Sequence, residues 1–494
     1  MHLAKIESRI TDVDHSAERR MQQHLDSLTK PLGSLGRVEE IAIQLAGITG
    51  SPELSVDPAV FLLMAADHGV TAEGVSSFPA EVTQQMVHNF ISGGAGINVL
   101  SRASGATVQV VDIGIKGDLS LPGLFSRKIR QGTNNMAVGP AMSYDEVMQA
   151  IEVGMAVTRQ TISEGAKLIA LGEMGIGNTT ASSALLAVLG QVPVEEVVGI
   201  GTGISDTVRQ HKISVIQKAI SINQPNPLDP IDALAKVGGL EIAALAGVVL
   251  ESAAAHLPVL VDGFITSVAA LIATRIAPLC AHYLIGSHQS VEPGHKIINQ
   301  LLGIRPLLQL NLRLGEGSGA ALALPLVRAA CLISNEMATF ESAQVSGSHD
   351  SSVKGGSAEP HTAAPELILS KRHEFQPLHK EGVYKAVYER RDIRSFLNHP
   401  VETKKLLKIL DAAHHAPSVG FMQPWNFIVI QSEAIKRQLH DIVSREVKIA
   451  GEYFEGQRSE LYPKLKVQGI LEAPITLCVT SDPTRDGTHV LMRK

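Results

Sequence analysis

The 494-residue chain is poor in cysteine. Cys280, Cys331 and Cys478 lie far apart with no CxxC spacing, which excludes a disulfide framework and a thiolate zinc or redox motif. It has one tryptophan, and aromatic residues make up only 4% of it, so aliphatic and small side chains must build its cores. A basic excess is missing too: 43 Lys and Arg against 49 Asp and Glu leave a formal charge of -6, so nucleic acid is not an expected partner. No run reaches the roughly 18 uninterrupted apolar residues of a membrane helix. The opening MHLAKIESRITDVDHSAERR has no apolar signal core, and a cytoplasmic protein without membrane association is expected.

The chain is too long for one hydrophobic core, and its composition shows where to divide it. From Gln344 to Pro377 the sequence is dense in Ser, Gly, Pro and His without hydrophobic period, as in SGSHDSSVKGGSAEPHTAAP. The expected division is a domain over 1–343, a linker over 344–377 and a second domain over 378–494.

In the first domain, apolar runs alternate with Ala-rich segments: AVFLLMAA, ATVQVVDIGI, AKLIALGE, EEVVGIG, HLPVLVDGFI, CAHYLIGS and LLQLNLRLGE. Continuous apolar strands suit a parallel sheet covered on both faces, which predicts a doubly wound, Rossmann-like α/β fold with an additional helical part. Five runs end in an acid, Asp67, Asp112, Glu173, Asp262 and Glu316. Singly, such an acid is more often a helix cap or turn residue. Together they mark the carboxyl edge of the sheet, where ligands bind in folds of this kind.

Common nucleotide motifs are absent: there is no GxxxxGK[ST], and neither GIGTGIS nor GEGSGAA satisfies GxGxxG. Instead, Gly172-Glu173-Met174-Gly175-Ile176-Gly177-Asn178-Thr179-Thr180 follows a predicted strand and opens an Ala-rich helix, whose free amides and dipole suit a phosphate. A second turn, Gly199-Ile200-Gly201-Thr202-Gly203, precedes Lys212, a point charge for an anion. In Gly315-Glu316-Gly317 the glycines allow a close approach to a carboxylate whose burial would raise its basicity. The segment from Asp67-His68-Gly69-Val70 through SSFPAEVTQQMV mixes small, polar and apolar groups in a loop able to line a flat aromatic pocket. No metal-ligand spacing occurs, and no metal is expected.

In this order, TKPLGSLGRVEEIAIQLAGI, DHGV with SSFPAEVTQQMV, GGAGINVL, GEMGIGNTT, GTG, VDGF and LRLGEGSGAALA resemble the nicotinate-nucleotide:dimethylbenzimidazole phosphoribosyltransferases of cobalamin lower-ligand assembly. The resemblance covers roughly residues 5 to 343. It implies transfer of the phosphoribosyl group of nicotinate mononucleotide to a benzimidazole, without cofactor, by a homodimer. It also implies Glu316 as catalytic base, Glu173 as a second important acid, and Ser76 and Gln84 in the base pocket. Gly175, Gly177, Asn178, Thr179, Gly201, Gly203, Lys212 and Asp262 would contact the nucleotide. Ile200 stands where the family commonly carries arginine.

From about Gly382, RRDIRSF and HAPSVGFMQPWNF resemble the flavin-dependent nitroreductase superfamily, in its dimethylbenzimidazole synthase branch. That resemblance implies an α+β domain with FMN, its phosphate gripped by Arg390, Arg391 and Arg394, with Asp392, Ser418 and Gln423 near the flavin. Family members continue well past the equivalent of Arg493-Lys494, so an incomplete domain with weak FMN binding is expected. The alternatives to a transferase are an FMN oxidoreductase whose large first domain assists, and a non-catalytic scaffold of the same pathway.

Overall fold

The computed structural model describes residues 3–199, 205–345, 396, 399–414, 425–451, 467 and 469–481. The chain divides into two compact units, Met1–Lys354 and Gly355–Lys494.

The first unit begins with α1 (Leu3–Glu7), α2 (His15–Ser27) and α3 (Arg37–Thr49), then β1 (Ala59–Ala66), α4 (Glu81–Ile91) and α5 (Gly96–Ala103). Next come β2 (Thr107–Gly114), β3 (Leu124–Ser126), α6 (Tyr144–Ser163), β4 (Leu168–Met174), α7 (Asn178–Leu189), α8 (Val194–Val197), α9 (Asp206–Asn223), α10 (Pro230–Val237) and α11 (Leu240–Ala254). It closes with β5 (Val259–Val261), α12 (Phe264–Ile276), β6 (Leu284–Gly286), α13 (Pro293–Leu302) and α14 (Ser318–Glu336).

The six strands form one sheet in the order β3-β2-β1-β4-β5-β6, every pair parallel. All eight residues of β1 are buried, and they alternate between two cores. Leu62 and Met64 join the core beneath α6, α11 and α12, whereas Phe61 and Leu63 join the one beneath α3, α5 and α14. Both faces are therefore covered, which is why the strand reads as an unbroken apolar run rather than an alternating one. Helix ends follow local chemistry: Asp14 caps α2, Ser143 and Glu146 form a capping box on α6, and Asp229 with Pro230 starts α10.

Two of the predicted strands do not form. EEVVGIG contributes α8, because Pro193 precedes it and Glu195 and Glu196 occupy its first turn, which favours a helix start. LLQLNLRLGE has no strand: it makes one isolated bridge, His288 to Leu308, and a further backbone bond from the Val291 N–H to the Leu312 carbonyl, and leads to α14. The stretch from Glu81 is helical, not a loop.

In the second unit the described elements are α15 (Thr403–His414), β7 (Trp425–Ile430), α16 (Glu433–Gly451), α17 (Gly469–Glu472) and β8 (Thr476–Ser481). The two strands pair antiparallel, Trp425 opposite Ser481 and Ile430 opposite Thr476. Among its described residues only Ala473 is a buried apolar side chain, and Ile428 and Val479 on the strands are exposed.

Candidate active site

Parallel strands send all their carboxyl ends to one edge, and the order reverses between β1 and β4, which opens a crevice there. A cleft of about 620 Å³ lies on the β4 side of this edge. The ends of β4, β5 and β6, the segment 311–316 and one face of α4 line it.

Beyond β4 the chain turns at Gly175 and Gly177, the latter with φ +97, and enters α7 without any side-chain cap. Asn178 and Thr179 at the start of α7 line the cleft, and since the Asn178 and Thr180 N–H groups bond the Gly175 and Gly177 carbonyls at 3.1 and 2.9 Å, the Thr179 N–H is the one of these amides left for a ligand. Behind them, buried Lys212 on α9 donates from Nζ to Thr179 Oγ1 at 2.7 Å. Burial pushes its ammonium down to about 8, and nearby Glu292 opposes that shift.

Three carboxylates meet next to this helix start. Glu173, at the end of β4, accepts a hydrogen bond from the Asn178 amide, and the Glu316 backbone N–H also donates to it. A Cβ on Gly315 would collide with Glu173 Oε1, so only glycine lets this loop pass. Burial, with Asp262 and Glu241 nearby, pushes Glu173 up to about 8. Asp262, after β5, caps α14 by accepting the N–H groups of Gly317 at 3.2 Å and Ala320 at 2.9 Å, while burial lifts its carboxyl to about 7.

Glu316 adopts φ +64 between two further left-handed residues, Gly315 and Gly317. Holding a non-glycine residue in this region costs about 1–3 kcal/mol and is a mark of functional sites. The strained turn aims the carboxylate at the start of α5, where Oε2 accepts the Ile97 N–H at 3.0 Å. Burial raises its pKa, the amides of Ile97 and Gly96 oppose this, and Asp262 adds to it.

Apolar side chains complete the cleft: Phe78, Val82 and Met86 from the α4 side, Leu314 beside Glu316, and Phe264 at the start of α12. Val82 and Met86 stand one helical turn apart, a spacing that marks them as one face once the segment is read as a helix.

Of the residues expected from sequence, Glu173, Glu316, Asp262, Gly175, Asn178 and Thr179 all line this cleft. Lys212 reaches it through Thr179. Gly177 shapes the turn without lining the cleft. Ser76 and Gln84 are half-buried neighbours of the α4 wall rather than lining residues, and Ser76 Oγ accepts the Phe78 N–H at 3.1 Å. Gly201 and Gly203, like Ile200, lie outside the described residues, as do Arg390, Arg391, Asp392, Arg394, Ser418 and Gln423. The acids ending β1 and β2 serve the scaffold: Asp67 accepts the Lys116 N–H at 2.8 Å, and Asp112 accepts that of Ile115 at 2.9 Å. Among the described residues no group of His, Cys, Asp and Glu is arranged to hold a metal ion.

The sequence reading passed over three groups. His68, from the quoted DHGV, pairs with fully buried Glu241 at 2.6 Å directly beneath the Gly175 turn. His288, two residues beyond β6, lines the cleft 3.8 Å from Asp262, its imidazolium disfavoured by burial, which lowers its pKa to about 4. Arg313 stands in the quoted LRLGEG.

Residues 10–345 match the phosphoribosyltransferase family profile and residues 387–492 the nitroreductase family profile. The chain is 65% identical over 338 residues to the nicotinate-nucleotide–dimethylbenzimidazole phosphoribosyltransferase of Halalkalibacterium halodurans, covering 68% of this chain and 95% of that one. It is 52% identical over 346 residues to the enzyme of that name from Desulforamulus reducens, covering 70% and 99%. The crystal structure of the corresponding Thermus thermophilus protein superposes with a TM-score of 0.65 at 44% identity, covering 68% of this chain and all of that one.

Proposed function

The chain belongs to the nicotinate-nucleotide–dimethylbenzimidazole phosphoribosyltransferase family, with a nitroreductase-family segment following in the same chain, and on that premise we propose how its cleft performs the transfer. The enzyme is a pentosyltransferase that moves the phosphoribosyl group of nicotinate mononucleotide to 5,6-dimethylbenzimidazole. Nicotinate and α-ribazole 5′-phosphate are the products, which fits cobalamin lower-ligand assembly. The transferase uses no cofactor.

The observation that carries the reading is the polarity of the cleft. One part offers the Thr179 N–H and hydroxyl and the Lys212 ammonium to an anion. The other gathers Glu173, Asp262 and Glu316 with raised pKa values. Burial makes all three acids harder to ionise than free carboxyls. A ribosyl pyridinium carries its own positive charge, and a cation among three buried carboxylates draws them back to the ionised form. The reacting C1′ gains oxocarbenium character as its bond to nicotinate lengthens, so the cation is stabilised most where the barrier lies.

The 5′-phosphate sits on Gly175, Asn178, Thr179 and Lys212, with Gly177 shaping the turn; Gly201 and Gly203 are assigned to the same nucleotide on family resemblance. The planar base lies against Phe78, Val82, Met86 and Leu314, with Ser76 and Gln84 supporting that wall. Its unprotonated ring nitrogen attacks C1′ from the face opposite nicotinate, which leaves with the electron pair of the broken C–N bond, and the configuration inverts from β to α. Glu316 takes the proton from the other ring nitrogen and later releases it to water. Two copies pair through the first unit, which light scattering at micromolar concentration checks.

The nitroreductase-family segment binds FMN only weakly on this reading, with Arg390, Arg391 and Arg394 on its phosphate. Stoichiometric FMN that stays with the protein through gel filtration would contradict this.

The transfer is tested by mixing full-length protein with nicotinate mononucleotide, with and without dimethylbenzimidazole. Release of nicotinate that depends on the base is expected. Equal release without it would make the enzyme a hydrolase.

A further inference from the structure

The cleft's other residues leave one cation unexplained. Arg313 is the single Lys or Arg among the residues that line it, against four acids, Glu173, Asp262, Glu292 and Glu316. It is exposed, and among the described residues its guanidinium makes no hydrogen bond or ion pair, with none of those acids nor with any other group. Several arginines of this unit are engaged, Arg9 and Arg159 with buried Glu251, Arg130 with Glu146 and Arg328 with Asp57, and exposed Arg19, which is not, does not line this cleft. A guanidinium kept free in an acid-lined cleft is placed to receive an anion from outside.

The substrate assigned above carries two anionic groups. Its phosphate already has Thr179 at the start of α7 and Lys212 on α9. Arg313 belongs to a different wall, the extended segment 311–316, three residues before Glu316 at the reacting end. We propose that Arg313 receives the pyridine carboxylate of the departing ring, and so selects nicotinate mononucleotide over nicotinamide mononucleotide. This assignment rests on the transferase reading. The planar guanidinium fork matches a carboxylate in a bidentate pair, whereas a neutral carboxamide offers it one oxygen and an amide group that repels its donors. The strained turn at Glu316 ties the two roles together, because the loop that places the base also places the arginine.

Exposure of Arg313 keeps the pair partly screened, so its loss costs about tenfold rather than the larger factor of a buried pair. The test compares wild type, Arg313→Met and Arg313→Lys in the full chain, measuring kcat/KM with nicotinate and with nicotinamide mononucleotide at saturating dimethylbenzimidazole. A calorimetric titration with free nicotinate accompanies it. The proposal expects kcat/KM for the nicotinate substrate to fall about tenfold in the methionine variant while that for the nicotinamide substrate stays level. Nicotinate binding weakens by a similar factor, and the lysine variant recovers part of both. Equal losses on the two substrates would place Arg313 on the phosphate and overturn the proposal, and so would no loss on either. Should wild type prove inert with both nucleotides, the transferase reading fails, and unchanged nicotinate binding in the methionine variant would then overturn this proposal separately.

Discussion

Glu316→Gln separates chemistry from scaffolding at the most strained point of the site. Gln keeps the shape of Glu, and its amide oxygen can still accept the Ile97 N–H now held at 3.0 Å. What is lost is the charge in that bond, about 1 kcal/mol, and relief from burying a carboxylate partly offsets it. Stability should therefore change little, with Tm moving by only a few degrees in scanning calorimetry. Turnover should not be spared. An amide cannot take the benzimidazole proton, and loss of a general base lowers kcat by about 10² or more, at least about 2.7 kcal/mol in the barrier. KM for nicotinate mononucleotide should rise only modestly, since Glu316 is one of three carboxylates facing its pyridinium while the phosphate is held by Thr179 and Lys212. The assay is base-dependent nicotinate release at saturating substrates. A variant with near wild-type kcat and a large loss of Tm would refute the reasoning, leaving Glu316 as a cap for α5.

Lys212 has its pKa pushed down to about 8, and only its ammonium attracts phosphate. The kcat/KM for the nucleotide should fall as pH rises through about 8 while kcat at saturation does not, which a pH profile of both constants checks. Glu173 at about 8 and Asp262 at about 7 bind protons more tightly folded than unfolded. Each acid therefore costs stability as pH rises from its unfolded to its folded value, whereas buried His288 and His295, lowered to about 4 and about 3, return stability up to about 6.5, so the net decline of the first unit should fall between about 6.5 and 8 and reverse above it as Lys212 titrates, as read by urea unfolding without substrate. Gly154 on α6 packs so closely on α11 that a Cβ would strike the Ala244 carbonyl. Gly154→Val should accordingly cost about 1–3 kcal/mol or more in a urea titration. Limited proteolysis should remove residues beyond about 345 and leave a transferase of unchanged kcat, because the second unit's described residues bury almost no apolar surface; loss of activity with the first cut would contradict this.

Much of the first unit was legible because its central strands are buried on both faces. AVFLLMAA has no polar residue to interrupt it, and β1 occupies its full length. The carboxyl-edge acids were legible as a set, but the sequence could not sort them. Glu173, Asp262 and Glu316 meet in the cleft, whereas Asp67 and Asp112 bond nearby backbone amides, and that difference depends on where the strand order reverses. LLQLNLRLGE failed as a strand although its residues favour one, because the described sheet ends at β6 and the segment makes only an isolated bridge at Leu308 and scattered backbone bonds instead of a continuous ladder. His68 was quoted within a motif without a role, since its partner Glu241 is 173 residues away. Arg313 was likewise hidden, as an exposed arginine in a sequence carries no sign that it is unpaired in a cleft of acids.

The central claim is displacement at C1′ within the cleft of the first unit, and the configuration of the product tests it most directly. Full-length protein is incubated with nicotinate mononucleotide and dimethylbenzimidazole, and the nucleotide formed is isolated and its anomeric configuration assigned by proton NMR. The account predicts the α-nucleotide alone, formed mole for mole with nicotinate. A β-nucleotide, or free ribose 5-phosphate in place of a nucleotide, would contradict it.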